Sequence, residues 1–290
     1  MKNFQKKSKA GAMKKRIFIK DTQFRHGLFT MNPSPIARHS KYMEWDFNPP
    51  ENDNDIQIAY TETSFNLLRR DSKNNVGWII ESPEYHGKYY DYVKNNLHSF
   101  KHVITHDKEL LEYSDSFKFS PMGGSWLYDD DIGIAEKSRN FSIIASWKRE
   151  LTGHRLRHTI IAGSGNKVDV YGSGYNPVER KIQALKDYRY SFAIENCKKD
   201  YYFTEKLLDC FLSGTIPIYW GCPSIGDFFN TKGMIIFDDL LELKDKLKMC
   251  TKEYYENNIE YIIENFNKAH KYLLAEDYIY ENNKELLYGE

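Results

Sequence analysis

The sequence predicts an α/β protein made of two Rossmann-like domains with a cleft between them and a C-terminal helix. Three observations support this fold class. Short β-prone apolar runs alternate with helical segments along the 290 residues. A polar, acidic stretch near residues 128–140 separates two such alternating halves. The second half contains a strand–helix–strand unit, which binds ligands beyond the carboxyl ends of its parallel strands.

The first predicted domain covers residues 14–138 and follows a basic tail at residues 1–13. Four strands are predicted, at 16–20, 56–60, 76–80 and 101–105. Helical segments are predicted at 85–97 and from 108 to 113. Pro49, Pro50 and the polar run after them mark a loop at 49–55.

The second predicted domain covers residues 139–290 and includes the terminal helices. Strands at 141–145 and 168–171 flank a helix near 155–162. A strand at 190–194 leads to a helix that Thr204 caps and Gly214 ends, followed by a strand at 216–220. Two helical segments come last, the second a long one at about 252–281. We expect this long helix to pack on the second domain or to cross back to the first.

Composition excludes several functional classes. Lysine and arginine together number 41, as do aspartate and glutamate, which argues against a protein that works mainly by electrostatic binding of nucleic acid. No apolar run is long enough to span a membrane, and no apolar segment follows the basic start to form a secretory signal. The basic tail is interpreted as disordered, with Met13 as an alternative start, or as a weak membrane-surface contact.

The cysteines all lie in the second half and lack C-x-x-C spacing. They are Cys197, Cys210, Cys222 and Cys250. We interpret them as reduced thiols and therefore expect a cytoplasmic protein.

Lys206 is an unusual residue for its position. It lies in the first turn of a predicted helix, where the positive end of the macrodipole makes a lysine unfavourable by about 0.3–1 kcal/mol. A bound phosphate would reverse the sign of that effect, because helix N-termini and lysine both attract phosphate. An exposed lysine that does little harm explains the position equally well, so Lys206 alone leaves both interpretations open.

The segment around Lys206 resembles the donor-binding motif of the α-1,3-fucosyltransferases, glycosyltransferase family 10. That motif is an apolar strand, then E-N, a short loop, Y-x-T-E-K, an amphipathic helix and a turn into P-[IV] before a Gly-Pro-type loop. The matching residues here are Glu195, Asn196, Tyr202, Thr204, Glu205, Lys206, Pro217, Ile218, Gly221 and Pro223. The resemblance implies a GT-B type fold and transfer of fucose from GDP-fucose. The chain resembles the soluble bacterial-type members of this family, although the C-terminal heptad repeats of those members are absent from this sequence.

The resemblance also implies which residues hold the donor's phosphates. The family places an arginine before an apolar helix, and Arg157 fits this pattern better than Arg155 does. A guanidinium can clamp a diphosphate through two hydrogen bonds, so Arg157 and Lys206 form a chemically sensible pair. Without the resemblance, the two arginines would be interpreted as solvated. Gly172 begins a Gly-x-Gly turn suited to close phosphate approach, which is weak evidence by itself.

Recognition of the rest of the donor is assigned to the neighbouring polar residues. Glu205 suits the vicinal hydroxyls of a ribose or sugar, because a carboxylate accepts two hydrogen bonds. Tyr202 suits a phosphate or the sugar pocket, and Asn196 suits a base edge. Helix capping and loop structure remain an alternative explanation, above all for Asn196. Glu195 is a further candidate without an assigned role.

Glu81 is the candidate general base. It ends an apolar strand in the sequence VGWIIESPEYHG, and the carboxyl end of a strand in an α/β domain faces the cleft. The resembling family carries E-[SN]-P here, and its glutamate is regarded as the base. Burial near tryptophan and isoleucine is expected to raise the pKa of Glu81 toward the useful range. Capping of the next helix is the alternative role.

Three groups of residues resemble metal ligands without being assigned as such. Asp129, Asp130 and Asp131 lie in a polar linker and are interpreted as solvated, and the pair Asp238 and Asp239 has a counterpart in the family that is not a metal site. His154 and His158 have helical spacing but lack the glutamate of a zinc motif. No metal or other cofactor is expected.

The sequence therefore predicts an inverting glycosyltransferase that moves fucose from GDP-fucose to a glycan hydroxyl, with Glu81 as base and Arg157 and Lys206 stabilising the GDP leaving group. Closure of the two lobes would bring Glu81 to the donor. Two alternatives remain open. One is a transferase of the same fold that uses another nucleotide sugar, and the other is a non-catalytic nucleotide- or carbohydrate-binding module.

Overall fold

The computed structural model describes residues 14–22 and 38–287, and the basic tail and Met13 lie outside these ranges. The first domain contains a parallel sheet of six strands in the order β2-β1-β3-β4-β5-β6. The strands are β1 (Lys15–Lys20), β2 (Met43–Asp46), β3 (Ile58–Thr61), β4 (Asn75–Trp78), β5 (His102–Thr105) and β6 (Phe117–Phe119). The helices of this domain are α1 (Pro83–Asn95) and α2 (Lys108–Tyr113).

The second domain contains a parallel sheet of five strands in the order β11-β10-β9-β7-β8. The strands are β7 (Arg139–Ile144), β8 (Asp169–Tyr171), β9 (Tyr188–Ile194), β10 (Ile216–Trp220) and β11 (Ile235–Ile236), with helices α3 (Thr152–Ser164) and α4 (Glu205–Leu212) after β7 and β9. Every residue of β9 and β10 is buried, because helices and loops cover both faces of the sheet. The predicted α/β class with two Rossmann-like domains is therefore confirmed.

The prediction of one long helix at 252–281 is wrong. That stretch forms three helices, α6 (Lys252–Asn257), α7 (Ile259–Ala269) and α8 (Ala275–Asn282), after a short α5 (Leu240–Lys246). Asn258 leaves helical geometry between α6 and α7, with φ −109° and ψ 15°. Leu274 is extended ahead of α8, with φ −139° and ψ 125°. Residues after this second break pack against the first domain.

Residues 275–287 cross back to the first domain, which was one of the two expected arrangements. Ile279, Leu286 and Leu287 are buried in the core beside Trp45 and Trp78 of the first sheet. The side chains of α8 add polar contacts, because Ser40 Oγ donates to Asp277 Oδ1 at 2.5 Å and Trp45 Nε1 donates to Glu276 Oε1 at 3.1 Å. Sequence analysis had counted this segment with the second domain. In the structure it completes the first.

The helices within residues 14–22 and 38–287 are too short or too polar for any of them to cross a membrane. The four cysteines are buried and form no disulfide, as the interpretation as free thiols requires.

Candidate functional site

A cavity of about 600 Å³ opens between the two domains, where the carboxyl ends of both sheets face each other. Pockets of this size commonly bind small-molecule ligands. All of the site residues predicted from the sequence line it, namely Glu81, Arg157, Gly172, Asn196, Tyr202, Glu205 and Lys206. Glu81 comes from the first domain and the others from the second.

Glu81 reaches the cavity from the segment that follows β4. Its carboxylate oxygen Oε2 is buried and has no hydrogen-bond partner among the described residues. Burial raises the pKa of Glu81 to about 7, with a further contribution from the nearby Glu62 carboxylate, while Lys206 opposes the rise. A carboxylate with a pKa near neutrality and a free oxygen can take a proton from a bound hydroxyl.

Glu62 lies behind Glu81 and was missed by the sequence analysis. This fully buried carboxylate accepts hydrogen bonds from the backbone N–H groups of Ile80 and Glu81, the second at 3.1 Å. Its Oε1 also lies 2.5 Å from His86 Nδ1. A signal for it existed, because Glu62 directly follows β3, the neighbour of β4 in the sheet. The strand-end rule that selected Glu81 applies equally to Glu62.

Arg157 lies on α3 and is 6% exposed. Its Nε and Nη2 donate to the carbonyl oxygen of Ile194 at 3.1 and 2.5 Å, and Nη2 also donates to Asn196 Oδ1 at 3.1 Å. Burial lowers the pKa of Arg157, and Glu195 and Glu205 oppose that effect. Nη1 has no hydrogen-bond partner within the described ranges, so this nitrogen is available to a ligand.

Lys206 lies at the start of α4, as predicted, but the structure supplies its counter-charge. Its Nζ is 3.0 Å from Glu205 Oε1 and 3.8 Å from Glu195 Oε2, and it also donates to Thr204 Oγ1 at 3.1 Å. The argument that Lys206 is unfavourable without a bound anion is therefore wrong, because two carboxylates offset its charge. What connects Lys206 to a ligand is its place in the cavity wall.

The two carboxylates beside Lys206 differ in their surroundings. Burial alone would raise the pKa of Glu205, but Lys206 and Lys181 outweigh burial and hold that pKa at about 2. Glu195 is fully buried and accepts from the backbone N–H of Thr204 at 2.9 Å and from its hydroxyl at 2.7 Å. Glu195 therefore fixes the residue that caps α4, whereas Glu205 remains ionised in the cavity wall.

Lys181 and Asp209 form an ion pair that sequence analysis also missed. Lys181 lines the cavity, and its Nζ lies 2.6 Å from Asp209 Oδ2 and 5.4 Å from the ring centre of Trp126. Ser125 donates to the other oxygen of Asp209 at 2.6 Å. These residues come from separate segments that meet only in the folded chain, so no local pattern indicated them.

Tyr202 is fully buried, and its hydroxyl has no hydrogen-bond partner among the described residues. Its ring centre lies 5.0 Å from that of His106, whose pKa burial lowers to about 4. Burial raises the pKa of Tyr202 well above its ordinary value, and Glu81 adds to the rise. An unpartnered buried hydroxyl is costly by itself, so a ligand atom in the cavity is a natural partner for it.

The backbone conformation at position 172, and its close approach to a neighbouring strand end, require a glycine. Its φ is +111°, and a Cβ at this position would lie 2.1 Å from the carbonyl oxygen of Ala145. The turn after β8 therefore packs directly on the end of β7, which draws both segments to the cavity rim. Any larger residue would separate them.

The acidic and histidine groups that resembled metal ligands have other partners. Arg38 binds Asp129 at 2.8 Å, and Arg180 binds Asp130 and Asp131 at 2.5 and 2.6 Å. Asp239 caps α5, and His158 Nδ1 contacts the hydroxyl of Tyr175 at 2.7 Å. Over the described ranges, no cluster of three potential ligands for a metal ion is present.

Comparison with known proteins relates this chain to one enzyme family. Residues 135–274 match the family model described as glycosyltransferase family 10 (fucosyltransferase) C-term. The chain is 33% identical over 117 residues to the alpha-(1,3)-fucosyltransferase FucT of Helicobacter pylori, which covers 40% of this chain and 21% of that protein. It is 34% identical over 109 residues to alpha-(1,3)-fucosyltransferase B of Drosophila melanogaster, covering 35% of this chain and 24% of that protein. The matched segments thus span about a fifth to a quarter of these relatives.

Solved structures extend the likeness to both domains. A crystal structure of alpha1,3-fucosyltransferase covers 88% of this chain and 84% of that chain, with a TM-score of 0.57 and 20% identity. Another, determined with GDP, covers 96% of this chain and 94% of that chain, with a TM-score of 0.57 and 18% identity. This likeness establishes the fold, a two-domain architecture of GT-B type.

Proposed function

We propose that the chain transfers fucose from GDP-fucose to a hydroxyl group of an oligosaccharide or other glycan, since residues 135–274 match the model described as glycosyltransferase family 10 (fucosyltransferase) C-term. The transfer inverts the configuration at the anomeric carbon. One observation carries the proposal: Glu81 and the cations Arg157 and Lys206 line the same cavity from opposite domains. A base for the acceptor and positive charge for the leaving group therefore share one cleft.

In the proposed reaction, the acceptor hydroxyl attacks the anomeric carbon of fucose while Glu81 takes its proton. The bond from that carbon to the diphosphate oxygen breaks, and GDP leaves with the bonding electrons. Because the site is largely buried, positive charge aimed at the diphosphate lowers the barrier more than it would in water. Arg157 Nη1 and Lys206 Nζ supply that charge.

Donor binding requires one exchange of partners. Lys206 is paired with Glu205 at 3.0 Å, so we propose that the diphosphate replaces Glu205 on the lysine. Glu205 then accepts hydrogen bonds from two neighbouring hydroxyls of the donor, because an ionised carboxylate is an acceptor on both oxygens. The hydroxyl of Tyr202 gains a partner on the phosphate or the sugar, and Asn196 is assigned to the edge of the guanine ring.

The donor is tested with a panel of nucleotides and nucleotide sugars in a thermal-shift assay, followed by GDP release in the presence of glycan acceptors. Stabilisation by GDP and GDP-fucose above UDP and ADP counterparts, with release that needs an acceptor, supports the proposal. Preference for another nucleotide sugar would indicate a different transferase, and binding without turnover would indicate a non-catalytic module.

A metal requirement is tested in the same assay. Arg157 and Lys206 neutralise the leaving group in the proposed reaction, so transfer in EDTA is expected to match transfer with added Mg²⁺ or Mn²⁺. Loss of transfer in EDTA that is restored by Mn²⁺ would contradict this part of the proposal.

A further inference from the structure

The segment that carries Glu81 lies beyond the last residue of β4, where side chains bind its backbone. Glu62 accepts from the N–H groups of both Ile80 and Glu81. His106 Nε2 lies 3.1 Å from the carbonyl oxygen of Ile80, and the hydroxyl of Tyr90 donates to the carbonyl oxygen of Glu81 at 2.7 Å. Each of the four polar backbone groups of Ile80 and Glu81 therefore has a side-chain partner.

Glu62 is the centre of this arrangement, because it binds two of those four groups and is itself held in place. It is fully buried, and His86, on the first turns of α1, lies 2.5 Å from its Oε1. The His86 ring stacks on Tyr85 with ring centres 4.5 Å apart and meets the edge of Tyr89 at 5.4 Å. The imidazole therefore has little freedom to move away from Glu62.

We infer that Glu62 is a positioning residue for the base, and that Glu62 and His86 together hold Glu81 so that its free oxygen Oε2 faces the acceptor hydroxyl. This inference rests on the proposed function. It assigns Glu62 no contact with substrate, since Glu62 does not line the cavity. The role of Glu62 is to hold the backbone of Glu81 in place. This matters because a displacement of a reacting group by about 1 Å can lower the rate about a hundredfold.

Glu62 also contributes to the electrostatics of the base. The charged or titratable groups that face Glu81 are Glu62, His86 on α1, and Glu205 and Lys206 on α4. Tyr202 faces it from the loop before α4, and Tyr90 faces it from α1. Glu62 and Glu205 raise the pKa of Glu81, while Lys206 and His86 lower it. Burial raises the pKa of Glu62 itself, and its hydrogen bonds with His86, Ile80 and Glu81 oppose that rise. Removing the carboxylate of Glu62 should lower the pKa of Glu81 as well as loosen its backbone.

The amide variant Glu62→Gln separates this role from simple packing, because it keeps the size of the side chain. A glutamine has one acceptor oxygen in place of two, so at least one of the Ile80 and Glu81 N–H groups loses its partner. We expect the plateau value of kcat to fall by about 10- to 100-fold, and the acidic limb of the kcat profile to move to lower pH. GDP affinity and the KM for the donor should stay at wild-type values. Glu44→Gln, which removes an exposed carboxylate from β2, should leave all of these unchanged.

Two variants of His86 complete the test. In His86→Asn, the side-chain amide nitrogen lies near the position of Nδ1 and preserves a donor to Glu62. The plateau value of kcat for this variant should therefore remain within about threefold of wild type. His86→Leu has no donor, so its plateau kcat should fall as much as that of Glu62→Gln. If Glu62→Gln does not fold by circular dichroism, this pair decides the matter. A folded Glu62→Gln with wild-type kcat and pH profile would overturn the inference, as would equal activity of the two His86 variants. If wild type itself has no transferase activity with any donor, the proposed function fails instead.

Discussion

Replacing Glu81 by glutamine tests the base directly, because this substitution preserves the shape of the side chain and removes only its ability to take a proton. The structure raises the pKa of Glu81 from 4.5 to about 7. Wild-type kcat/KM should therefore rise with pH, reach half its plateau near pH 7, and fall to about 1% of the plateau at pH 5. The variant should lack this limb and run about 100- to 10,000-fold below wild type at pH 8.

The same substitution should stabilise the fold at high pH. The folded-state pKa of Glu81 lies above its unfolded value, so ionisation of this residue costs the native state free energy as pH rises from about 4.5 through about 7. The difference of about 2.5 pKa units corresponds to as much as about 3 kcal/mol above pH 7, which Glu81→Gln should recover. Below pH 4.5 the two proteins should unfold with similar free energies.

The assay pairs a GDP-release measurement from pH 5 to pH 9 with chemical denaturation at pH 4.5 and pH 8.5. GDP binding by calorimetry is the control, since the variant should bind GDP as wild type does. Transfer by Glu81→Gln within tenfold of wild type, or a wild-type profile that is flat between pH 5 and pH 8, would refute the assignment of Glu81 as base.

Three further substitutions test other parts of the structure. Lys206→Ala should weaken GDP binding about 10- to 100-fold by calorimetry, since it removes a charge-assisted contact to phosphate. The control is Lys252→Ala, which replaces an exposed lysine on α6, and a GDP affinity of Lys206→Ala equal to that of wild type would contradict the assignment. Gly172→Ala should lower the free energy of unfolding in denaturant by at least about 2 kcal/mol, because the added Cβ meets the carbonyl oxygen of Ala145 and the φ of this residue is positive. Gly163→Ala on α3 has open space around the added Cβ, so this control should be neutral or stabilising. Ile279→Ala should cost about 2–5 kcal/mol in thermal or denaturant unfolding, since it leaves a cavity between α8 and the first sheet; a loss below about 1 kcal/mol would mean that this contact contributes little.

Sequence reasoning selected residues that line one cavity, because a single rule applies to them. Polar residues at the carboxyl ends of parallel strands lie at the cleft, and this rule together with the donor motif brought Glu81 and Lys206 to the same cavity. The rule would also have found Glu62 had it been applied to the neighbouring strand. It could not have found Lys181 and Asp209, because their pairing depends on how two distant segments pack.

The fold was predictable where hydrophobic runs were long and less so at the sheet edges. Strands β2, β6 and β11 lie at the edges of the two sheets, and all three were missed. The breaks at Asn258 and Leu274 were missed because apolar residues continue at helical spacing across both of them. Hydrophobic spacing shows which residues are buried, but not whether the same helix carries them.

The return of residues 275–287 to the first sheet has a consequence for how the chain folds during synthesis. Ser40 and Asp277 contact each other across 237 positions, so the ribosome must deliver nearly the entire second domain before the first can be finished. Until then the apolar surface around Trp45 and Trp78 stays uncovered and exposed to wrong partners. The N-terminal domain, although made first, cannot complete its core before residues 275–287 have been made. Tryptophan fluorescence from Trp45 would report the moment when α8 docks.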